Sequence, residues 1–166
     1  CETLTFDANR LEPHIALPDE VDKVVPVTEA AGEAIDQAYL GSCTNGRFED
    51  LQEAARILKG RQVAAGVRML VSPASQSIYQ RALREGVIET LADAGAIILA
   101  PSCGACLGLH SGILAKGEKA ISSTNRNFVG RMGHKESQIF LGSPASVAAA
   151  AVEGRIADPR KYLQEG

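Results

Sequence analysis

Three of the four cysteines in this 166-residue chain lie in small, polar, glycine-bearing stretches: Gly41-Ser42-Cys43-Thr44-Asn45-Gly46-Arg47 and Pro101-Ser102-Cys103-Gly104-Ala105-Cys106-Leu107-Gly108. Cys103 and Cys106 form a C-x-x-C pair, a spacing that holds two sulfurs close enough to share one centre. Thiolates are soft ligands, so three of them suit an iron–sulfur centre or zinc. Structural zinc needs four closed ligands, and the nearest candidate for a fourth is His110. A redox dithiol is a second reading. Such motifs open a helix after a strand, and Gly104 and Gly108 make a continuous helix poor here. A bland pair of buried cysteines is the third reading; Cys43, set in a loop of similar composition, weakens it. Clusters that only transfer electrons are normally held by four protein cysteines. Three without an obvious fourth suggest a cubane with one incompletely ligated iron. An open iron is a Lewis acid, like the open position of a catalytic zinc, and can help a substrate hydroxyl leave.

A third stretch, Thr124-Asn125-Arg126-Asn127-Phe128-Val129-Gly130-Arg131, carries two arginines five positions apart. Guanidinium forks pair with carboxylates in bidentate fashion. Beside a Lewis-acid iron, Arg126 and Arg131 point to a di- or tricarboxylate substrate. Asn125 and Asn127 are candidates to hydrogen-bond cluster sulfur or substrate oxygens. The alternative is that both arginines make ordinary surface ion pairs, the default for exposed basic residues.

These stretches need elements to position them, and the hydrophobic pattern supplies some. Ile35–Leu40, Val67–Val71, Ala96–Ala100, a weaker Lys119–Ser123 and Ile139–Leu141 read as strands. Ala96–Ala100 is apolar throughout, as expected of a strand covered on both faces. Phe48–Lys59 places Phe48, Leu51, Ala55 and Leu58 on one helical face, with Gly60 as a stop. Ser75 caps a helix in which Ile78, Ala82 and Leu83 share a face, and Val87–Asp93 reads as a shorter helix. Pro144–Val152 is a helix with proline near its start and Gly154 at its end. Strands alternating with helices predict an α/β fold, a three-layer α/β/α sandwich with a mostly parallel sheet of about five strands. Parallel strands put their carboxyl ends on one edge, where ligands of such sheets bind. All three polar stretches follow a strand, so all three belong to that edge.

Cys1 to Pro26 holds Pro13, Pro18 and Pro26, which disfavours helix and central strand alike. It reads as a surface lead-in (residues 1–30) ahead of a cluster-binding α/β domain (residues 31–166), with Cys1 to Val25 packing outside the main sheet. The chain opens on Cys1 without an initiator Met, which reads as processing or as a piece of something longer. Seventeen basic against 20 acidic residues give a net charge of −3, which argues against a general nucleic-acid binder. No apolar run approaches the roughly 18 residues of a membrane span. No basic segment leads into an apolar one as in a signal peptide, so the expected location is the reducing cytoplasm.

Together the three polar stretches, in their order and spacing, resemble the iron–sulfur-bearing portion of the aconitase superfamily. The likeness covers Ala34 to Tyr162 and is greatest for the branch of 3-isopropylmalate dehydratase and homoaconitase large subunits, enzymes of leucine and lysine biosynthesis. The resemblance implies a [4Fe–4S] cluster held by Cys43, Cys103 and Cys106, with one iron lacking a protein ligand. It implies substrate carboxylate contacts at Arg126 and Arg131, with Asn125 beside the cluster, and leaves Cys1 as structural. The implied activity is that of a hydro-lyase, moving a hydroxyl between neighbouring carbons of a malate-type acid by dehydration and rehydration. The implied partners are N-terminal domains of the large subunit, a small subunit carrying a swivelling domain, and a small hydroxy-acid substrate. The acid–base groups lie in those missing parts, so this chain alone is expected to be inactive. Two other readings compete. One is a non-catalytic metal- or cluster-binding module that acts only with partner chains. The other is iron-dependent RNA binding, which the acidic balance disfavours.

Overall fold

A computed structural model describes residues 2–5, 7 and 11–163. Cys1 lies outside the described residues. Among the described residues seven strands, β1 (His14–Ala16), β2 (Val24–Pro26), β3 (Gln37–Gly41), β4 (Arg68–Ser72), β5 (Ile97–Ile98), β6 (Lys119–Ser122) and β7 (Gln138–Leu141), form one sheet in the order β2-β1-β7-β6-β3-β4-β5. The parallel part comprises β3, β4, β5, β6 and β7. The two remaining strands, β1 and β2, run antiparallel at the β7 edge. The class is therefore α/β with a mostly parallel sheet, but with seven strands instead of about five.

The two extra strands come from the proline-bearing lead-in, which was expected to pack outside the sheet. Ile15 is fully buried in the core, and Pro26 ends β2 at the outer edge, where a missing N–H breaks no ladder. Lys119–Ser123, read as a weak strand, gives β6 over Lys119–Ser122, which is central and lies between β3 and β7. Ala96–Ala100, read as covered on both faces, gives only a two-residue strand at the opposite edge, with Ile97 52% exposed. An apolar run tells of burial on average, not of position in the sheet.

Side chains alternate across the strands, so each strand feeds two cores. One core takes Ala38 and Leu40, Met69 and Val71, Ile121 and Phe140; the other takes Tyr39, Leu70, Ala120 and Ile139. The first is roofed by α3 (Phe48–Leu58), α5 (Val87–Asp93) and α6 (Pro144–Glu153), which bury Leu51, Leu58, Leu91 and Val147. Ser143 caps α6 by accepting from the Ser146 amide, and Pro144 occupies its first turn. Ser75 likewise accepts from the Ile78 amide ahead of α4 (Gln76–Arg84). Within α4 Ala82 is buried, but Leu83, expected on the same face, is 53% exposed. Adjacent helical positions point about 100° apart, so Leu83 turns away with the next step.

The second face has no long helix. It is covered by the 3-10 turn Gly104–Leu107 and by irregular chain that lays Ala105, Cys106, Leu114 and Met132 onto the strands. The strand order reverses between β3 and β6. Right-handed crossovers then send the connections after β3 and β4 over one face and those after β5 and β6 over the other. Such a switch point opens a crevice at the carboxyl ends of the strands.

Candidate functional site

The loop after β3 begins with a sharp turn. Gly41 has φ 106° and Ser42 φ 73°. A Cβ on Gly41 would fall 2.2 Å from the Ser72 carbonyl oxygen, and one on Gly46 would fall 2.6 Å from it. Only glycine lets this loop approach β4 so closely. The turn carries Cys43 into the one-turn helix α2 (Ser42–Asn45), where it is exposed. The loop is tied to the end of β6: the Gly41 amide donates to Ser123 Oγ at 2.8 Å, and the Asn45 side chain donates to the Ser123 carbonyl. The Ser123 amide donates back to the Tyr39 carbonyl at 3.0 Å.

The loop after β5 runs back over the second face. Cys103 is exposed, Cys106 is buried, and both are free thiols, as is Cys43. The Cys106 amide donates to the Cys103 carbonyl at 3.0 Å, closing the C-x-x-C turn, and Gly108 ends it in the left-handed region. The glycines thus prevent the continuous helix of a redox dithiol motif. Cys43 and Cys106 both lie near enough to Cys103 to act on it electrostatically. Local desolvation, then the neighbouring Cys43 and Cys106, raise the Cys103 pKa; the Arg131 guanidinium pulls it down. Tyr39 lies buried beneath. Burial pushes its phenol up to about 12, opposed by the nearby Ser72 side chain, and the thiols of Cys106, Cys103 and Cys43 push it further. All three thiols therefore lie near enough to one buried tyrosine to act on it electrostatically.

The loop after β6 divides its residues. Asn125 and Arg126 are exposed at its start. Arg131 is half-buried, and its chain is joined to the cysteine loop by a parallel bridge between Leu114 and Gly133. Of the two arginines, Arg131 acts electrostatically on Cys103. Neither arginine has a carboxylate partner among the described residues. The buried Nε of Arg131 also finds no acceptor there. An unpaired buried donor costs about 1–3 kcal/mol, so this nitrogen is suited to an acceptor from a ligand. Asn127 does something else. It is fully buried, and its amide donates to the carbonyls of Leu17 at 2.7 Å and Ile139 at 3.3 Å. It fastens the loop to the lead-in instead of reaching a ligand, which corrects the reading of Asn127 as a cluster or substrate contact.

No three of the described His, Cys, Asp and Glu residues are placed to hold one metal ion between them. That counts against a closed zinc cage of three cysteines and His110, whose ligands must all lie close to one ion. The site's supports, Tyr39, Ser72 and Ser123, carried no sequence signal beyond a hydroxyl at or near a strand's carboxyl end.

The model of the family described as Aconitase family (aconitate hydratase) matches residues 1–154. The chain is 56% identical over 160 residues to 3-isopropylmalate dehydratase large subunit 1 of Methanopyrus kandleri, covering 96% of this chain and 38% of that protein. It is 56% identical over 162 residues to the 3-isopropylmalate dehydratase large subunit of Geobacter sulfurreducens, covering 98% and 38%. It is 53% identical over 161 residues to the probable methanogen homoaconitase large subunit of Methanothermobacter thermautotrophicus, covering 97% and 38%. The chain thus spans well under half the length of these curated relatives. Matched from the lead-in strands through α6, it belongs to the aconitase family.

Proposed function

We propose that this chain is the cluster-bearing part of a hydro-lyase, isomerising a malate-type di- or tricarboxylic acid by dehydration and rehydration. The observation that carries the proposal is three free thiols, with Cys43, Cys106 and Arg131 all acting on Cys103, and an Arg131 that has no carboxylate partner among the described residues. The relatives' names, 3-isopropylmalate dehydratase and homoaconitase, support the same class of reaction. Family membership implies an iron–sulfur cluster. In this reading it is a [4Fe–4S] cluster on Cys43, Cys103 and Cys106. One iron without a protein ligand would supply Lewis-acid polarisation of the substrate hydroxyl.

The chain's own residues have three tasks. The thiols must lose their protons to become ligands, and Arg131 favours that loss at Cys103. Arg131 and Arg126 hold substrate carboxylates, the former with its unengaged Nε. Asn125, exposed at the start of the same loop, contacts the cluster or the substrate. Proton transfer falls to other parts of the protein: the preceding domains of the large subunit and a small subunit with a swivelling domain. The relatives' names include the words large subunit, which supports such a partner. No described helix is long and apolar enough to cross a membrane, and free thiols as ligands suit the reducing cytoplasm.

The test is Arg126→Lys and Arg131→Lys in the complete two-subunit protein. Both variants should keep the wild-type iron and sulfide content. Each should lower kcat/KM for the hydroxy acid by an amount worth about 2–3 kcal/mol, because an ammonium cannot reproduce a bidentate contact. Wild-type kinetics in both variants would remove the arginines from carboxylate binding.

A further inference from the structure

The C-x-x-C turn rests on two side chains that are not ligands. Tyr39, at the middle of β3 and wholly buried, donates its hydroxyl to the Cys103 carbonyl at 3.1 Å. That carbonyl also accepts the Cys106 amide at 3.0 Å, the bond that closes the turn. On the neighbouring strand, Ser72 donates its hydroxyl to the Ser102 carbonyl at 3.0 Å, and the Ser102 amide donates to the same Ser72 oxygen at 3.4 Å. Consecutive residues of the ligand loop are therefore held from below by two adjacent strands. Gly104 lies directly on the phenol: a Cβ there would come within 3.1 Å of the Tyr39 hydroxyl. Phenylalanine would fill the same volume, so packing alone does not account for a buried hydroxyl, which needs a partner.

We propose that Tyr39, assisted by Ser72, is a positioning residue that fixes the C-x-x-C turn so that Cys103 and Cys106 are presented to Cys43. The proposal deepens the reading of these thiols as cluster ligands and rests on it. In this role Tyr39 acts through the Cys103 backbone.

The experiment compares wild type, Tyr39→Phe and Ser72→Ala as complete, reduced, metal-free protein by hydrogen exchange. Each variant should speed exchange at the Cys106 amide by roughly five- to tenfold, the size of one net hydrogen bond. The amides of Leu40 and Leu70 in β3 and β4 should keep their wild-type rates. After reconstitution with iron and sulfide, both variants should show the wild-type visible spectrum but bleach several-fold faster in air. Unchanged exchange at Cys106 in both variants would overturn the proposal. So would equal acceleration at Cys106, Leu40 and Leu70, which would make Tyr39 an ordinary core residue. Should Tyr39→Phe fail to fold, Ser72→Ala decides by the same readouts. A wild type that takes up no iron and sulfide would sink the cluster reading, whereas the exchange comparison would still decide whether Tyr39 shapes the turn.

Discussion

The face of the sheet under α3 and α6 is closed by side chains that point inward from regular helices: Leu51, Ile57 and Leu58 from one, Val147 and Ala151 from the other. The opposite face is closed by a 3-10 turn, close-approaching glycines and hydrogen bonds from Tyr39 and Ser72 to loop carbonyls. The helical face gains its stability from apolar area, which is non-directional and tolerant of small shifts. The loop face depends on directional contacts, which fix backbone positions but contribute about 1 kcal/mol each. Cys106 packs into the core on the loop side, and Cys103 and Cys43 act electrostatically on the same buried Tyr39. The division teaches that one half of the molecule stabilises the scaffold while the other half places the ligands.

Substitutions on the two faces should therefore fail in different ways. The largest loss of stability is expected from Leu58→Ala, a fully buried side chain in the helical core. It should lower unfolding free energy by about 2–5 kcal/mol in urea titration, with iron uptake unchanged wherever the variant remains folded. Gly41→Ala should behave in the opposite sense. Its new Cβ meets the Ser72 carbonyl oxygen at 2.2 Å, at a φ of 106°. Stability should fall by about 1–3 kcal/mol, but the cysteine loop must shift, so iron and sulfide uptake should be lost at temperatures where circular dichroism is still native. Equal uptake by Gly41→Ala and wild type would break the comparison.

A smaller effect sharpens it from the helical side. Glu153, at the end of α6, is held at a pKa of about 2, first by Lys161, then by the Tyr162 hydroxyl and, against some desolvation, by Arg155. These partners fasten α7 (Arg160–Leu163) and the segment before it. A carboxylate with a lowered pKa stabilises the fold above its unfolded value and loses that contribution as pH falls through the folded one. Stability should thus decline between about pH 5 and pH 2, by about 1 kcal/mol given the exposure of Lys161. Glu153→Gln should remove this component of the pH dependence and leave the spectrum of the reconstituted site untouched.

The helical face was the more legible half. The spacing of Phe48, Leu51, Ala55 and Leu58, and the Ser143-Pro144 start with its Gly154 stop, determine α3 and α6 locally. Helical signals are contained in neighbouring residues. Strand position is not: Ile97 and Ile121 look alike in sequence, yet one lies on an edge strand and the other at the centre of the sheet. The short strands β1 and β2 were missed because segments of three residues carry no period; the pairing of β1 with β7, and of β2 with β1, is a tertiary event. At the site, Cys43, Cys103, Cys106 and Arg131 stand out in the sequence by residue type and spacing. Asn127 was misread because its partners at Leu17 and Ile139 are set by the fold. Tyr39 and Ser72 were invisible for the same reason, since each reaches a carbonyl on a loop distant in sequence.

The most direct measurement is anaerobic reconstitution of the complete protein with iron and sulfide, scored by metal and sulfide content and by visible absorption. Wild type should take up about four irons and four sulfides per chain, as a cubane requires, and turn brown. Cys43→Ser, Cys103→Ser and Cys106→Ser should each lose the chromophore, while Leu58→Ala retains it. A wild-type chain that stays colourless and instead binds one zinc, with His110→Ala abolishing that binding, would contradict the account.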